Sequence, residues 1–368
     1  MQKKSVFTTA LATSVFLALM SYAPAIAQDA DARMYAGLQS AFDETQKVVQ
    51  RVCPLAPNIS THPIFVKFGE GTADIATTAQ GQIALTVLRS GDSHVLIFPA
   101  GIQSTPTSLA IDGALVDGSL KLSRDGHFVT WLDAFGPFHV YDLSEKKLLE
   151  VKGVENPCSN QWIGNELWVH DCRRQVVIAF HQTDRGFELF RTIDDKLPST
   201  GREAISDQLG ESFMRGPEVF TSLAAVEAAG AVVTSPIGSE RAPLRVGSEL
   251  FLLRLTDHGP ASAEENRMID FSSEDAVPKL VRVSDGKTID LHNRACLPLS
   301  MASSPTGAKF AVLQGSSLAQ IFDAKTMKPV SSFKLDARFS NAPRRIAFET
   351  ESVLLVMTNT GVVRYSLP

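Results

Sequence analysis

The feature that most constrains the fold is an internal match between two distant stretches of the sequence. The stretch that begins at Ser304 can be laid over the one that begins at Ser123 without a gap, after a shift of 181 residues. The matched positions are Ser123 with Ser304, Gly126 with Gly307, VYD at 140–142 with IFD at 321–323, and Lys147 with Lys328. An ungapped match of this kind indicates that the chain repeats one supersecondary unit.

Further copies of the unit follow at similar spacing. They are centred near residues 98, 141, 180, 250, 283, 322 and 365, and the copy near 250 is assigned the strands 219–225, 231–235 and 249–255. A period of roughly 40–45 residues with four short strands is typical of a β-propeller, in which each blade buries its faces against its neighbours. The alternative is a β-sandwich with coincidental spacing, which the ungapped match disfavours. We predict an all-β fold, a seven-bladed β-propeller preceded by one N-terminal helix.

The N-terminal 27 residues have the pattern of a secretory signal peptide. Lys3 and Lys4 precede a largely apolar stretch, and residues 25–27 read Ala-Ile-Ala before a polar segment. Small residues at these two positions are typical of a cleavage site, so we expect residues 1–27 to be removed on export. The alternative is an uncleaved membrane anchor, because the apolar stretch is nearly long enough to span a bilayer. No later stretch is as long and apolar, so we expect no membrane contact after cleavage.

The mature chain is predicted to divide into a short N-terminal region and the propeller. Residues 28–60 form the helix and a linker, because apolar residues recur at helical spacing over 31–52 and prolines follow. Residues 61–368 form the propeller. The last repeat offers three strands, so we expect residues 62–69 to pair with 362–365 as its missing outer strand.

Charge and cysteine content exclude some classes of function. Without the two lysines of the leader, 33 basic and 40 acidic residues give a net charge of −7, which argues against nucleic-acid binding. The four cysteines are Cys53, Cys158, Cys172 and Cys296; an even number in an exported chain suggests disulfides. They include no Cys-x-x-Cys, and the eight histidines lack the spacing of a zinc site.

One passage carries a more specific resemblance. Residues 140–180 contain, in order, a hairpin Asp-Leu, a strand, Pro-Cys, an apolar strand and His-Asp-Cys-Arg. This passage resembles the heavy subunit of methylamine and aromatic amine dehydrogenases, a periplasmic seven-bladed propeller, and the similarity extends over roughly residues 80–335. The two ends of the chain depart from the family's pattern: residues 31–75 do not match its N-terminal arm, and the last 25 residues add nearly a full blade. We therefore carry over no residue of the family's substrate channel.

The resemblance implies a periplasmic location and a role without catalysis of its own. The family's cofactor, tryptophan tryptophylquinone, belongs to a separate small subunit, and the electrons pass to a copper protein or a cytochrome. By resemblance, Cys158 and Cys172 are bonded to each other. For Cys53 and Cys296 the sequence gives only a weak expectation that they pair.

No residues of the chain form a convincing catalytic constellation. His170 and Asp171 are neighbours on a predicted strand and would point to opposite faces, so we expect Asp171 to stabilise a turn. The motif GDSHV at 91–95 lacks the second glycine of a nucleophile elbow and reads as a hairpin turn. Asp194 and Asp195 lack the alternating oxygen ligands of a calcium loop. The three tryptophans lie in predicted strands, where we expect core packing: Trp131, Trp162 and Trp168.

Three functions remain open at this point. The first is an amine dehydrogenase heavy-subunit-like propeller that frames a quinone-bearing small subunit and its electron-transfer partner. The second is a stand-alone periplasmic propeller that binds a protein or a small ligand. The third, a propeller hydrolase, ranks last because it requires a metal at the central channel. The sequence offers no cluster of carboxylates and histidines at matching blade positions.

Overall fold

Four-stranded sheets dominate the structure of this chain. The computed structural model describes Ser40, Lys47 and residues 49–368, except 69–70, 90–91, 112, 114, 117–118, 134–136, 164, 172, 175, 184–185, 195–243, 247–248, 257–276, 283, 292–295, 297, 315–316 and 337–344. Within the described residues, 24 strands form six four-stranded antiparallel sheets. In that part of the chain, no helix is both long and apolar enough to cross a bilayer.

Each sheet but one consists of four strands that follow one another in the chain. The N-terminal strand and the first three sheets are β1 (Ile64–Lys67); β2 (Gly71–Thr77), β3 (Ile83–Arg89), β4 (Asp92–Phe98) and β5 (Thr107–Ile111); β6 (Lys121–Leu122), β7 (Phe128–Leu132), β8 (Phe138–Asp142) and β9 (Lys147–Leu149); and β10 (Pro157–Ile163), β11 (Glu166–Asp171), β12 (Val176–Thr183) and β13 (Gly186–Asp194). The remaining strands are β14 (Leu244–Val246), β15 (Glu249–Thr256), β16 (Val277–Arg282) and β17 (Thr288–Asp290); β18 (Pro298–Ser303), β19 (Lys309–Gln314), β20 (Leu318–Asp323) and β21 (Pro329–Lys334); and β22 (Arg345–Thr350), β23 (Val353–Met357) and β24 (Gly361–Ser366).

The first strand of each sheet lies next to the first strand of a neighbouring sheet. β22 contacts β2, β2 contacts β6, and β6 contacts β10; on the other side β14 contacts β18, and β18 contacts β22. The sheets therefore stand side by side around an axis, with these first strands innermost. This arrangement is a β-propeller, as the repeat predicts.

Burial along each sheet explains why these sequences form strands. The second strands β7 and β23 are buried at every position, because neighbouring sheets cover both of their faces. A strand buried on both faces reads as a continuous apolar run, which is the pattern of VLLVM in β23. The outer strand β9 is exposed or half-buried throughout and begins with the charged residue Lys147.

The two matched stretches adopt the same backbone. Gly126 and Gly307 have φ of +74° and +73°, and Lys146 and Met327 have φ of 54° and 58°. The hydrogen bonds coincide as well: the amide of Gly126 donates to Ser123 O at 3.0 Å, and its counterpart Gly307 donates to Ser304 O at 2.9 Å. The repeat in the sequence is thus a repeat in three dimensions. Two left-handed positions in each copy fix the hairpin turns.

The assignment of seven copies is wrong at one point. The copies placed near residues 250 and 283 are not two blades, because β15 and β16 pair directly, with Phe251 opposite Arg282. Both strands belong to the sheet β14–β17. The described residues hold six sheets, and residues 219–225 and 231–235, which were assigned to a further copy, lie outside them. The spacing misled because 20 residues separate β15 from β16, so that one hairpin occupies most of a period.

The N-terminal segment is attached to the sheet β18–β21. The described part of the predicted helix is helical: Ser40, Lys47 and residues 49–52. Val49 and Val52 pack into a cluster with Phe251 and Phe310, where the sheets β14–β17 and β18–β21 meet. Cys53 is disulfide-bonded to Cys296, so the weakly expected pair is present. The first 39 residues, which include the expected signal peptide, lie outside the described residues.

From Cys53 the chain crosses between two sheets. Ile59 N donates to Ser332 O at 2.8 Å and Ser332 N donates to Pro57 O at 3.0 Å, so the segment runs along β21. β1 then pairs with β24 as the outermost strand of the last sheet, in the order β1-β24-β23-β22, with Phe65 opposite Val363. β1, which lies within residues 62–69, is therefore the fourth strand of the last repeat. The ends of the chain meet in one sheet.

Candidate functional site

The inner strands carry buried or half-buried polar side chains where the sheets approach one another. Asp74 lies on β2, Lys121 on β6, Asn160 on β10, Ser300 on β18 and Arg345 on β22. Asp74 is 2% exposed and Arg345 8%. Polar groups at such positions cost free energy unless they are hydrogen-bonded or paired. The contacts of these side chains therefore decide whether they form a reactive site or a structural one.

Asp74 uses both carboxylate oxygens to join three sheets. Oδ1 accepts from Ile75 N at 2.9 Å and lies 3.1 Å from Arg345 Nε on β22. Oδ2 accepts from Leu120 N, which precedes β6, at 2.9 Å. Burial lowers the pKa of the neighbouring Lys121; Asp74 opposes this shift and Arg345 adds to it. The group links β22, β2 and β6, and its carboxylate has little capacity left for a ligand.

Other side chains bridge pairs of sheets in the same way. Asn160 Nδ2 donates to Ser119 O at 2.8 Å, and its Oδ1 accepts from Thr130 Oγ1 at 2.8 Å, which connects β10 to the preceding sheet. Ser300 Oγ accepts from Ile346 N at 3.1 Å, which connects β18 to β22. Through these contacts, hydrogen bonds link the inner strands of neighbouring sheets. The polar side chains involved are neutral and already hydrogen-bonded. Their role is to hold neighbouring sheets in position.

The carboxylate of Glu349 serves two neighbours at the end of β22. Its Oε1 accepts from Ile102 N, in the loop after β4, at 2.7 Å. Its Oε2 lies 2.6 Å from Arg364 Nε on β24. The carboxylate therefore joins the first sheet to the last one, next to the closing strand.

The candidate pairs taken from the sequence do not come together as catalytic groups. Asp171 is fully buried and accepts hydrogen bonds from Glu155 N at 2.9 Å and Arg174 N at 3.2 Å. Burial alone would raise the pKa of Asp171, but these backbone N–H groups and that of Asn156 hold it below its ordinary value. Asp171 thus stabilises turns, as expected.

The other two candidates lie in a strand and at a strand end. Ser93 and His94 belong to β4 itself, while the glycine of GDSHV lies outside the described residues. The motif was expected to be a turn, and its Ser-His pair instead sits in the ladder, with Ser93 opposite Leu88. Asp194 is the last residue of β13, and Asp195 lies outside the described residues.

The tryptophans are packing residues. Trp168 is fully buried and Trp131 is 3% exposed, while the half-buried Trp162 is stacked on Phe128 of the preceding sheet with ring centroids 5.7 Å apart. Phe187 completes this group, at 5.8 Å from Trp162. All three tryptophans thus pack within or between sheets, as the sequence predicts.

For the expected Cys158–Cys172 disulfide, the structure describes only the backbone next to the two cysteines. Cys158 belongs to β10, at a register irregularity between Pro157 and Ser159. Pro157 lies opposite Asp171, the residue before Cys172. Cys172 itself lies outside the described residues, so the pairing stays a prediction.

Sequence reasoning also missed the pair formed by His139 and Asp133. His139 Nε2 lies 2.8 Å from Asp133 Oδ2, and the imidazole is stacked on Trp131 with ring centroids 5.0 Å apart. Trp131 and His139 face each other across β7 and β8. Aligning residues 131–139 as a hairpin would have placed the two rings opposite each other. Asp133, two residues after Trp131, was the available signal for this pair. In the described part of the chain, no group of three or more His, Cys, Asp or Glu residues is arranged to hold a metal ion.

Large apolar side chains are exposed mainly on the outer strands. Leu148 on β9 is 56% exposed, and Val330 on β21 is 51% exposed. On β13 two such residues are adjacent, Leu189 at 54% and Phe190 at 41%. Single exposed apolar residues are ordinary, but adjacent ones on an edge strand mark a surface suited to contact with another molecule.

Comparison with known proteins finds similarity only to distant solved structures. No protein-family model matches the sequence, and a search of curated proteins found no match. A chain of the mitotic checkpoint complex superposes with a TM-score of 0.52 at 12% identity, covering 85% of this chain and 96% of that one. The β-propeller domain of Cps50 (Swd1) from Myceliophteria thermophila gives 0.46 at 13% identity, over 84% and 100%. The C-terminal WD40 domain of Sif2 gives 0.47 at 8%, over 86% and 100%. Similarity at this identity concerns the fold alone and does not single out the amine dehydrogenase heavy subunits.

Proposed function

We propose that this chain is an exported binding propeller that engages a protein partner through its outer surface. The observation that carries the proposal is the adjacent exposed pair Leu189 and Phe190 on β13, at the edge of a sheet. The buried polar side chains of the inner strands, among them Asp74 and Asn160, already have partners within the fold. A ring that is held together in this way offers a rigid surface, and a rigid surface binds with a small loss of entropy.

The proposal is tested by asking whether the exported chain forms a defined complex. The mature chain, tagged at its C-terminus and expressed from its own promoter, is crosslinked in whole cells with a cleavable reagent and purified. We expect one protein to be recovered in a fixed stoichiometry, and the complex to re-form from the two purified components. Recovery of the chain as a monomer under these conditions, with the tag shown to be accessible, would contradict the proposal.

A second candidate function is the heavy-subunit role, and one observation favours it. Pro157 on β10 lies opposite Asp171 on β11, and these are the residues that precede Cys158 and Cys172 in the sequence. In this reading the partner is a small periplasmic subunit that carries tryptophan tryptophylquinone, and a copper protein or cytochrome accepts its electrons. This chain frames that subunit and is itself inert.

The two functions differ in the nature of the partner. For the heavy-subunit role, a small co-purifying band stains for quinone, and the complex oxidises methylamine or an aromatic amine with an artificial acceptor. The isolated chain is expected to show no turnover in the same assay. Turnover by the isolated chain would contradict both readings, and a partner that does not stain for quinone would favour the first.

The cysteine pairing gives an independent test of the resemblance. Proteolysis of the exported protein without reductant should release a peptide pair that joins Cys158 to Cys172, besides the pair that joins Cys53 to Cys296. The second pair serves as the internal control for retention of disulfides. Detection of Cys158 and Cys172 as free thiols beside an intact control pair would remove the main support for the heavy-subunit role.

A further inference from the structure

We propose that the outer part of the sheet β10–β13 is a docking strip for an extended peptide segment that carries an arginine or a lysine. The docking strip consists of Glu166, His181, Glu188 and Phe190. This inference rests on the proposed function as a protein-binding propeller and names the surface and the chemistry of its partner.

Three ionisable residues form a row across the docking strip. Glu166 on β11 lies opposite His181 on β12, and His181 lies opposite Glu188 on β13. Directly paired residues of an antiparallel sheet point to the same face, so these side chains stand side by side. Glu166 Oε1 is 3.6 Å from His181 Nδ1, while Glu166 Oε2 accepts from Trp168 Nε1 at 3.1 Å. The buried indole thus fixes the carboxylate of Glu166.

An aromatic ring lies on the same row. β13 has a register irregularity opposite Ala179 and Phe180, which leaves Phe190 as an extra residue. A bulge of this kind redirects a side chain. The ring of Phe190 stacks on His181 with centroids 3.9 Å apart and meets Trp168 edge-on at 6.5 Å, yet the residue is 41% exposed. One face of the phenyl ring is therefore supported by protein and the rest is accessible.

The edge of β13 adds backbone groups to the docking strip. β13 is the last strand of its sheet and spans nine residues, whereas the outer strands β9 and β17 span three each. No other strand among the described residues pairs with the outer side of β13. A long edge with exposed apolar residues is suited to pairing with a strand from another molecule.

Charge decides which kind of segment fits. The row of Glu166, His181 and Glu188 holds two carboxylates, and the ring of Phe190 stacks on the imidazole between them. A guanidinium or ammonium group can pair with a carboxylate while it lies against an aromatic ring. An acidic segment would meet like charge at both glutamates. The mature chain is acidic as a whole, which also favours a basic partner.

The test uses a phage-displayed library of short random peptides, panned against the purified mature chain. We expect the enriched peptides to carry arginine or lysine between β-branched or aromatic residues. A selected peptide is then synthesised and titrated against variants. Glu188→Lys and Phe190→Ser should each weaken its binding about tenfold or more. Leu148→Ser is the matched control: Leu148 is an exposed apolar residue on the outer strand β9 of another sheet, and its substitution should leave binding unchanged.

Several outcomes would overturn the inference, and none of them decides the proposed function. Enrichment of acidic peptides, no enrichment at all, or equal binding to wild type and Glu188→Lys would each reject the docking strip. Hydrogen exchange provides a second readout: slow exchange, in the free protein, of those β13 amides that point away from β12 would mean that another part of this chain covers the edge. If the crosslinked complex persists in the Glu188→Lys and Phe190→Ser variants, the chain binds a protein through a different surface.

Discussion

At the scale of single residues, the most constrained group is the carboxylate of Asp74. Its partners lie on three different sheets, and none of them is close to it in the sequence except Ile75. Removing one member of a buried ion pair leaves the other charge buried without compensation, which is more costly than losing the attraction alone. Arg345, at 8% exposure, is the residue that would be left in that state.

We therefore expect Asp74→Asn to lower the free energy of unfolding by about 3–5 kcal/mol, the range for one partner removed from a buried pair. Denaturant titration monitored by far-UV circular dichroism measures the change. The matched control is Glu150→Gln: Glu150 pairs with Lys152 at 3.5 Å, both side chains are largely exposed, and the expected loss is below about 1 kcal/mol. If the two substitutions lowered the free energy of unfolding equally, the contacts of Asp74 between sheets would contribute no more to stability than an exposed ion pair.

Sequence reasoning reached the fold but not this group. The Asp-Gly turns at 125–126 and 285–286 were predictable, because a glycine with positive φ is a local requirement that its neighbours announce. Asp74, Lys121 and Arg345 come together only when the ring closes, and nothing near Arg345 in the sequence points to β2. Side chains that join distant sheets have no local signature, so the inner-strand group lay beyond sequence analysis.

At the scale of elements, the repeated unit is a hairpin whose turn is fixed by an aspartate. Asp142 Oδ1 accepts from Ser144 N and Glu145 N at 2.8 and 2.9 Å, and its counterpart Asp323 accepts from Thr326 N at 2.7 Å. The hydroxyl and backbone N–H of Thr326 lower the pKa of Asp323. The same turn in two copies is the structural reason why the sequence match has no gap.

The turn gives a prediction that depends on pH. A carboxylate whose pKa is lower in the folded chain stabilises the fold above its unfolded pKa, about 3.9, and this contribution fades as the pH falls through the folded value. Asp323→Ala should cost about 1.5–3 kcal/mol at pH 7, the range for hydrogen bonds to a charged group. The difference from wild type should shrink below about pH 4.

Thermal unfolding of both proteins from pH 7 to pH 3 measures this convergence. Asp92→Ala, at an exposed residue of β4, serves as the control and should change stability little at any pH. A cost of Asp323→Ala that stays constant down to pH 3 would mean that the side chain stabilises the turn by its shape and not through its charge.

At the scale of the whole molecule, the N-terminal segment acts on two sheets at once. The disulfide between Cys53 and Cys296 anchors it, hydrogen bonds to Ser332 guide it along β21, and β1 then completes the last sheet. Residues 243 positions apart are joined by this bond. The missing strand was predictable because a propeller leaves no open outer position beside three paired strands. That the copies near residues 250 and 283 belong to one sheet was not predictable, because the spacing of β15 and β16 imitates two repeats.

Closure of the ring can be tested at one glycine. A Cβ added to Gly361, the first residue of β24, would collide with Val66 O and would approach the ring carbons Cε2 and Cζ of Phe65 to 2.9 Å. Val66 and Phe65 belong to β1, so a larger residue must push the closing strand away from β24. Gly361→Ala is expected to destabilise the protein by about 1–3 kcal/mol, as overpacking of a tight contact does.

The control is another glycine at the start of a strand. At Gly71, the first residue of β2, the nearest atom to an added Cβ is Leu88 Cβ at 3.5 Å, an ordinary contact. Gly71→Ala should therefore be neutral, or stabilising by up to about 1 kcal/mol because the unfolded chain loses freedom. Hydrogen exchange locates the effect: in Gly361→Ala the amides of β1 and β24 should exchange faster, while those of β7 and β8, in a distant sheet, keep their rates. Uniform acceleration in all sheets would mean that β1 does not close the ring as a separable strand and that the propeller opens as a whole.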